Sequence, residues 1–540
     1  MEKRALLAII ISFAIIFIFN YLYMKFVPSP QVPKISQNQT TNNTIANNTQ
    51  VKKEKEEKLP SIPQVFSENL KIYTLISPKY EVSITSLGAR FNKFQLKEYP
   101  KEKNKKEPVN LISSPSGSLP LEIYFASAPE VAVINYRGPE NLSYSLENST
   151  SQTLNFLSYY KNIILEKTFT FKRDSYFIDL FFKILNKGNE TIRDRILVRG
   201  VFSPFADGKA YVFKGPFYYT DHLNEVKVKK DLEEYTGNLK YLGYEDTYFM
   251  VALIPKDTGN GNFTVTFRNI DKNAQEFILW LPPFELKPNE EINYSFKLYM
   301  GPKKIEEMEK EYLLLGKALY FGIFDFIAKP LLYILKLSHK WTGNFGWDII
   351  FVTILLRIIF FPLNHISYKS MKRLQEIQPI IQKLREKYKD DPQTLNKELM
   401  NIYKTYKINP FSGCLPILIQ IPIFIAFYKV LLMAIELRHA PFMLWIDDLS
   451  APERLYLGNL HIPYLGGIPL LTLLMGASMF VQQKLSPTTT DPLQNKIMLF
   501  MPLFFIVLFI NFPSGLVLYW FVNNILSIIQ QIFTLKLLKK

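Results

Sequence analysis

The chain has 540 residues, 64 of them Lys or Arg and 48 Asp or Glu, for a formal charge of +16. Its hydrophobic share of 48% is ordinary as an average, but runs long enough to cross a bilayer, about 20 residues, crowd the N-terminus and the last 200 residues. That distribution excludes a purely soluble protein, assigns the positive charge to loops beside anionic lipid rather than to nucleic-acid readout, and a single cysteine, Cys414, excludes an intrachain disulfide.

In chain order, Lys3 and Arg4 precede an apolar run from Ala5 to Tyr23, 19 residues or about 28 Å of helix. The following "NYLYMKF" offers no small-x-small cleavage site. Residues 1–26 are therefore expected to form a retained signal anchor with its N-terminus inside. The Pro-, Asn- and Lys-rich stretch 27–61 has little to bury and reads as a disordered linker.

From 62 to 302 the pattern alternates with period two. In "YFIDLFFKILN", Tyr176, Ile178, Leu180, Phe182 and Ile184 point one way, and "NFTVTFRNI" is a similar run. Many strands without intervening helices predict an antiparallel sandwich. Residues 303–345 return to helical patterning, charged and then amphipathic, and the second half is expected to lie flat on the outer membrane surface.

Spans are expected at Trp347–Leu363, Leu415–Ile435, Ile468–Gln483, Lys496–Phe512 and Gly515–Thr534, six with the N-terminal anchor. The segment His365–Asn409 holds ten Lys and Arg residues, whereas Glu436–Gly467 holds only Arg438 and Arg454. Positive-inside then places the first segment and both termini in the cytoplasm and the sandwich outside. The cytoplasmic segment, 366–408, reads as a helical hairpin. Pro379 interrupts its first arm, Asp391 and Pro392 open the second, and Leu395, Leu399, Ile402 and Tyr406 line one face.

The stretch "FVTILLRIIFFPL" raises a sharper question, because Arg357 sits inside an apolar span. A guanidinium at a bilayer centre costs roughly 2.5–3.5 kcal/mol on insertion scales. Arg357 is six residues from the expected inner end of its span and Gln420 five from that of the next, with Thr353 one turn above the arginine. The last span carries a stripe of Trp520, Asn523, Asn524, Ser527 and Gln531. These groups from three helices suit a shared wet cavity in the inner half of the membrane. Gln420, Asn523 and Ser527 suit helix–helix adhesion as well, Thr353 suits a bond to its own backbone, and Trp520 suits an interfacial anchor. Asp348, the only acidic residue within a span, lies about 13 Å up the same helix and is a poor partner for Arg357. There is no Walker A motif, metal-spaced His/Cys cluster or nucleophile elbow, so no enzyme and no cofactor is expected. Two classes remain, a small-solute or ion transporter, and a device that helps other polypeptides enter the bilayer. One-sided polarity suits the second.

At these residues a family resemblance appears. "GNFGWDIIFVTILLRIIFFPL", "INPFSGCLPILIQIPIF", "ELRHAPFMLWIDDLS", "QQKLSPTTTDPLQNKIM" and "FPSGLVLYWFVNNILSIIQQ" resemble the YidC/Oxa1/Alb3 membrane protein insertases, in the Gram-negative YidC form. "SITSLGARFNKFQLKEY" and "YMGPKK" resemble the two ends of that form's periplasmic domain. The resemblance implies an α-helical polytopic inner-membrane protein of six transmembrane helices with a five-helix core, 346–540, plus an all-β periplasmic supersandwich. It implies that a nascent membrane protein's polar end enters a hydrophilic groove beside the arginine while its apolar segment slides into lipid, without ATP. Implied partners are nascent membrane proteins, the lipid bilayer, the ribosome and the Sec translocon (SecYEG with SecDF). Implied substrate contacts are Thr353, Arg357, Phe424, Met475, Leu508, Tyr519 and Trp520. Leu508 stands where relatives carry an aromatic. Lys429 is unusual and is expected to snorkel outward, and the loop 452–467 holds an insertion.

Overall fold

The computed structural model describes residues 70–537 apart from 114–118, 207–211, 229–231, 257–261, 390, 407–414, 458–464 and 486–491. The expected anchor 1–26 and linker 27–61 lie outside the described residues, as does part of the 452–467 loop. The described chain forms two compact units, 70–319 and 320–537.

The first unit is β-rich. An eight-stranded antiparallel sheet runs Leu223–Glu225, Gly215–Tyr219, Tyr241–Glu245, Phe249–Lys256, Glu291–Pro302, Phe177–Asn186, Ile163–Lys172 and Ser151–Tyr160. Two five-stranded sheets accompany it, one containing the parallel pair Ile72–Ile76 and Ser143–Ser145 within an otherwise antiparallel pattern. The period-two expectation is met in the strand Phe177–Asn186, where Ile178, Leu180, Phe182 and Ile184 are buried, as is Tyr176 just before it. Rings fill the core, Tyr80 stacking on Phe94 at 4.9 Å and Phe91 meeting Phe169 edge-on at 5.3 Å. A buried carboxylate, Glu122, lies between Arg90 (2.5 Å) and Arg199 (2.8 Å), so its charge is compensated where water is absent.

Segment 303–345 does not behave as one amphipathic region. Its first part belongs to the β unit. Lys303 pairs with Glu245 at 2.7 Å, Glu307 with Lys79 at 2.6 Å and Glu311 with Lys172 at 2.5 Å, which holds the helical turn Ile305–Met308 and the 3₁₀ turn Leu313–Ala318 on that unit. Only from Asp325 does a sustained helix run.

The second unit is helical. Its helices are α1 (Asp325–Thr342), α2 (Phe345–Ile359), α3 (Phe361–Glu376), α4 (Gln378–Lys387), α5 (Pro392–Thr405), α6 (Leu415–Met433), α7 (Leu470–Leu485), α8 (Pro492–Phe509) and α9 (Ser514–Leu537). α9 packs on α7, α2, α3 and α6, and α1 packs on α2 and α6. On α1, Leu331, Leu332 and Leu335 are buried while Phe326, Tyr333 and Trp341 are exposed, an amphipathic arrangement with an apolar outer side.

The expected span Trp347–Leu363 is corrected. The helix stops at Ile359 and α3 leaves at a bend of 63°. Pro362, in the first turn of α3, has no N–H to extend the ladder and its ring excludes the carbonyl four residues back. Among the described residues, one helix, Ser514–Lys536, is long and apolar enough by itself to cross a membrane, and the bent pair α2–α3 is a second candidate. As helices, α6, α7 and α8 begin and end within four residues of the expected bounds. Ile358, Phe504, Val507, Ile529 and Phe533 are each more than half exposed, an apolar surface that a water-soluble unit rarely carries.

The hairpin forms largely as expected. α3 gives way to α4 at Ile377, with Pro379 in the first turn of α4. Asp391 caps α5 by accepting from the Gln393 and Thr394 amides at 3.2 and 3.1 Å. Leu399 packs with Ile377 and Ile381, and Leu395 and Ile402 join them. Tyr406 does not. It follows the last turn of α5 and is 47% exposed, because the helical stripe ends before it.

Candidate functional site

The break at Phe360 puts Arg357 two residues from the end of α2 rather than six. Its Nη2 donates to Ser527 Oγ on α9 and reaches Tyr368 Oη on α3 at 3.5 Å. Its Nε is buried without a partner. Three helices thus converge on one guanidinium, and the bend between α2 and α3 is what brings Tyr368 back to it. Among the described residues no carboxylate pairs with Arg357. Asp348, fully buried at the other end of α2, is engaged by α1, meeting His339 Nδ1 at 2.8 Å and Thr342 Oγ1 at 2.7 Å.

The remaining polar residues divide. Gln420 on α6 donates through Nε2 to Tyr519 Oη on α9. Asn523, half-buried, gives its carbonyl to Ser527 Oγ at 2.7 Å. Asn524 and Gln531 turn toward α7, where Asn524 Nδ2 donates to Ser478 Oγ at 3.0 Å and Gln531 Nε2 to the Leu485 carbonyl at 2.8 Å. Thr353 is buried and bonds the Ile349 carbonyl of its own helix at 2.6 Å. One face of α9 therefore meets the arginine while the neighbouring face adheres to α7. Gln530 Oε1 and Gln531 Oε1 are buried without partners, polar positions suited to internal water.

The aromatic part is equally defined. Trp520 meets Phe424 edge-on at 4.8 Å and packs on Phe509 at 5.2 Å and Phe505 at 5.4 Å, joining α9, α6 and α8. Met475 is fully buried on α7, Tyr519 is buried against Phe427, and Leu508 is partly buried on α8. Tyr368, Ser478, Phe505 and Phe509 are site neighbours that the sequence reading did not single out. The aromatics had a legible signal, since Phe505 and Phe509 stand one turn apart and flank Leu508. Tyr368 had none, because its position depends on the size of the bend.

The comparisons with known proteins bear on the whole chain. Residues 73–334 match the family model described as the YidC periplasmic domain, and residues 337–540 match the one described as 60Kd inner membrane protein. A membrane protein insertase YidC of Syntrophobacter fumaroxidans is 37% identical, the match covering 98% of this chain and 99% of that protein. One of Pelobacter propionicus is 35% identical over 99% of each. Among solved structures, an active YidC insertase with its first transmembrane domain resolved covers 88% of this chain and 94% of that one at 20% identity, with a TM-score of 0.37. By its full-length relatives and both matched regions, the chain belongs to the YidC family of membrane protein insertases, inner-membrane proteins that carry a periplasmic domain.

Proposed function

We propose that the polar set around Arg357 is the groove that receives the hydrophilic end of a nascent membrane protein, with Thr353, Gln420, Asn523, Asn524, Ser527 and Gln531 as its further polar residues and Phe424, Met475, Leu508, Tyr519 and Trp520 as the apolar route toward lipid. One observation carries the reading. The guanidinium is held by two hydroxyls alone, with Nε unpartnered and no carboxylate among the described residues. Such a cation favours an incoming acidic or polar segment and the water that hydrates it. Apolar partitioning of the following segment then supplies the drive for insertion.

In this reading α2, α6, α7, α8 and α9 cross the membrane, and the segment 1–26 makes a sixth span. Both termini and the hairpin 366–408 are cytoplasmic, residues 62–302 are periplasmic, and α1, within 303–345, lies flat at the outer surface with Phe326, Tyr333 and Trp341 toward lipid. Nascent membrane proteins are the substrates, and the ribosome and the Sec translocon are partners. The test is reconstitution. Purified protein in liposomes, without nucleotide, is expected to insert one- and two-span substrates with short acidic external segments. Cysteines introduced at Thr44 and Lys389 are expected to label from opposite sides. Solute flux without substrate, or labelling from one side, rules the reading out.

A further inference from the structure

We propose that residues 442–454 are a clasp that shuts the outer end of the helical unit, with Glu453 as its positioning residue, so that water reaches Arg357 from the other end alone. The proposal rests on the groove reading above. Glu453 is buried and stands in the loop after α6. Its Oε2 accepts from Trp445 Nε1 at 2.9 Å, and its Oε1 accepts from the Thr472 amide at 3.2 Å and Thr472 Oγ1 at 3.4 Å. Thr472 is in the first turn of α7, where the amides have no helical acceptor and a carboxylate is favoured.

The next residue does the converse. Arg454 donates to the Ile510 carbonyl at 3.0 Å and to Asn511 Oδ1 at 3.1 Å, just beyond α8, where carbonyls lack donors and a cation is favoured. Ser514 and Gly515, opening α9, donate their amides to Ala451 and Leu449 at 2.8 and 3.0 Å, and Ser514 Oγ donates to the Asp448 carbonyl at 2.7 Å. At the start of α2, Asn344 Nδ2 donates to the Phe442 carbonyl at 3.0 Å, and a Cβ on Gly346 would come within 1.9 Å of the Phe442 ring. One loop therefore bonds to end groups of α7, α8 and α9 and docks on the residues that open α2. Arg357 lies eleven residues beyond Gly346, about 16 Å along α2 from the clasp.

The Glu453 carboxylate meets only neutral donors among the described residues. Glu453→Gln keeps the shape but sets an amide N–H against the Trp445 or Thr472 N–H, donor against donor. Glu453→Asp keeps the acceptor and shortens the reach.

The full chain, with Cys414→Ser and Asn523→Cys, is probed in right-side-out and inverted membrane vesicles with a membrane-impermeant maleimide. With the clasp intact, the Asn523→Cys thiol is expected to label from the inner side only. Glu453→Gln is expected to raise outer-side labelling about tenfold, Arg454→Ala likewise, with Glu453→Asp between the parent and Glu453→Gln. A second thiol at the buried Val430→Cys is expected to stay silent in every variant. Outer-side labelling that stays at the parent level in both Glu453→Gln and Arg454→Ala overturns the clasp. So does equal labelling at Val430→Cys, which marks general unfolding. Absence of inner-side labelling in the parent instead sinks the groove reading itself.

Discussion

Arg357 Nη2 donates to Ser527 Oγ, and the same Oγ donates its own proton to the Asn523 carbonyl one turn back on α9. The serine proton is thereby committed to backbone, so its oxygen faces the guanidinium as an acceptor. α9 thus presents an oriented dipole to the cation without cancelling its charge.

If that charge attracts substrate, Arg357→Lys retains most insertion, since it keeps the cation and loses only the fork. Arg357→Ala and Arg357→Glu are expected to lower insertion of acidic-tailed substrates by about tenfold or more, and of neutral-tailed ones less, because a charge pair in a wet cavity still counts for more than in bulk water. The measurement is insertion of paired acidic and neutral substrates across the three variants. Equal losses for both would falsify charge attraction and leave Arg357 as a tether for Ser527 and Tyr368.

Trp520 joins three helices through Phe424, Phe505 and Phe509. Trp520→Ala is expected to destabilise the helical unit by about 3–5 kcal/mol, and Trp520→Tyr by about 1 kcal/mol, as a ring remains. Thermal unfolding in detergent reads the difference. An unchanged melting temperature for the alanine variant means the cluster does not hold α6, α8 and α9 together.

In the hairpin, Leu399→Ala removes the centre of a small apolar cluster and is expected to cost roughly 2 kcal/mol. Hydrogen exchange across α4 and α5 would show it. Reversing the exposed Lys383, Lys387 and Lys389 to Glu is expected to leave exchange unchanged and to weaken capture of ribosome–nascent chain complexes. Unaltered capture would leave these charges with topology alone to explain them.

Lys167 supplies a pH-dependent prediction. It is buried in the β unit with its ammonium on the Gly88 carbonyl at 2.6 Å, and burial, reinforced by Arg90, pushes it down to about 7 from 10.5. Between those values the unfolded chain binds more protons than the folded one, so stability rises with pH across that window, by up to about 1.4 kcal/mol per pH unit. Below pH 7 both forms are charged and the cost of burying the ammonium is present in full. Lys167→Met is expected to be more stable than the parent at pH 6. The order reverses near pH 10, where the Gly88 carbonyl misses its donor. Hydrogen exchange in the strand Ile163–Lys172 as a function of pH provides the readout. A stability difference that does not change with pH counts against this assignment.

What the amino-acid sequence determined by itself was everything that depends on local periodicity. The period-two run around Ile178–Ile184, the apolar lengths of α6 to α9, the Asp391–Pro392 start of α5 and the stripe of Leu395, Leu399 and Ile402 are set by neighbours within a few residues, and local steric and capping rules act at that range. The polar positions on α9 were legible for the same reason. Tertiary structure alone decided where they lead. Asn524 and Ser527 are three residues apart, and the roughly 60° between them around the helix sends Ser527 to the Arg357 guanidinium and Asn524 to Ser478 on α7. The halt of α2 at Ile359 has a local cause in Pro362, but the 63° turn that returns Tyr368 to Arg357 depends on how α3 packs against α9 and α6. The attachment of 303–319 to the β unit rests on ion pairs such as Lys79–Glu307, 228 residues apart in the chain, and no local rule reaches that far.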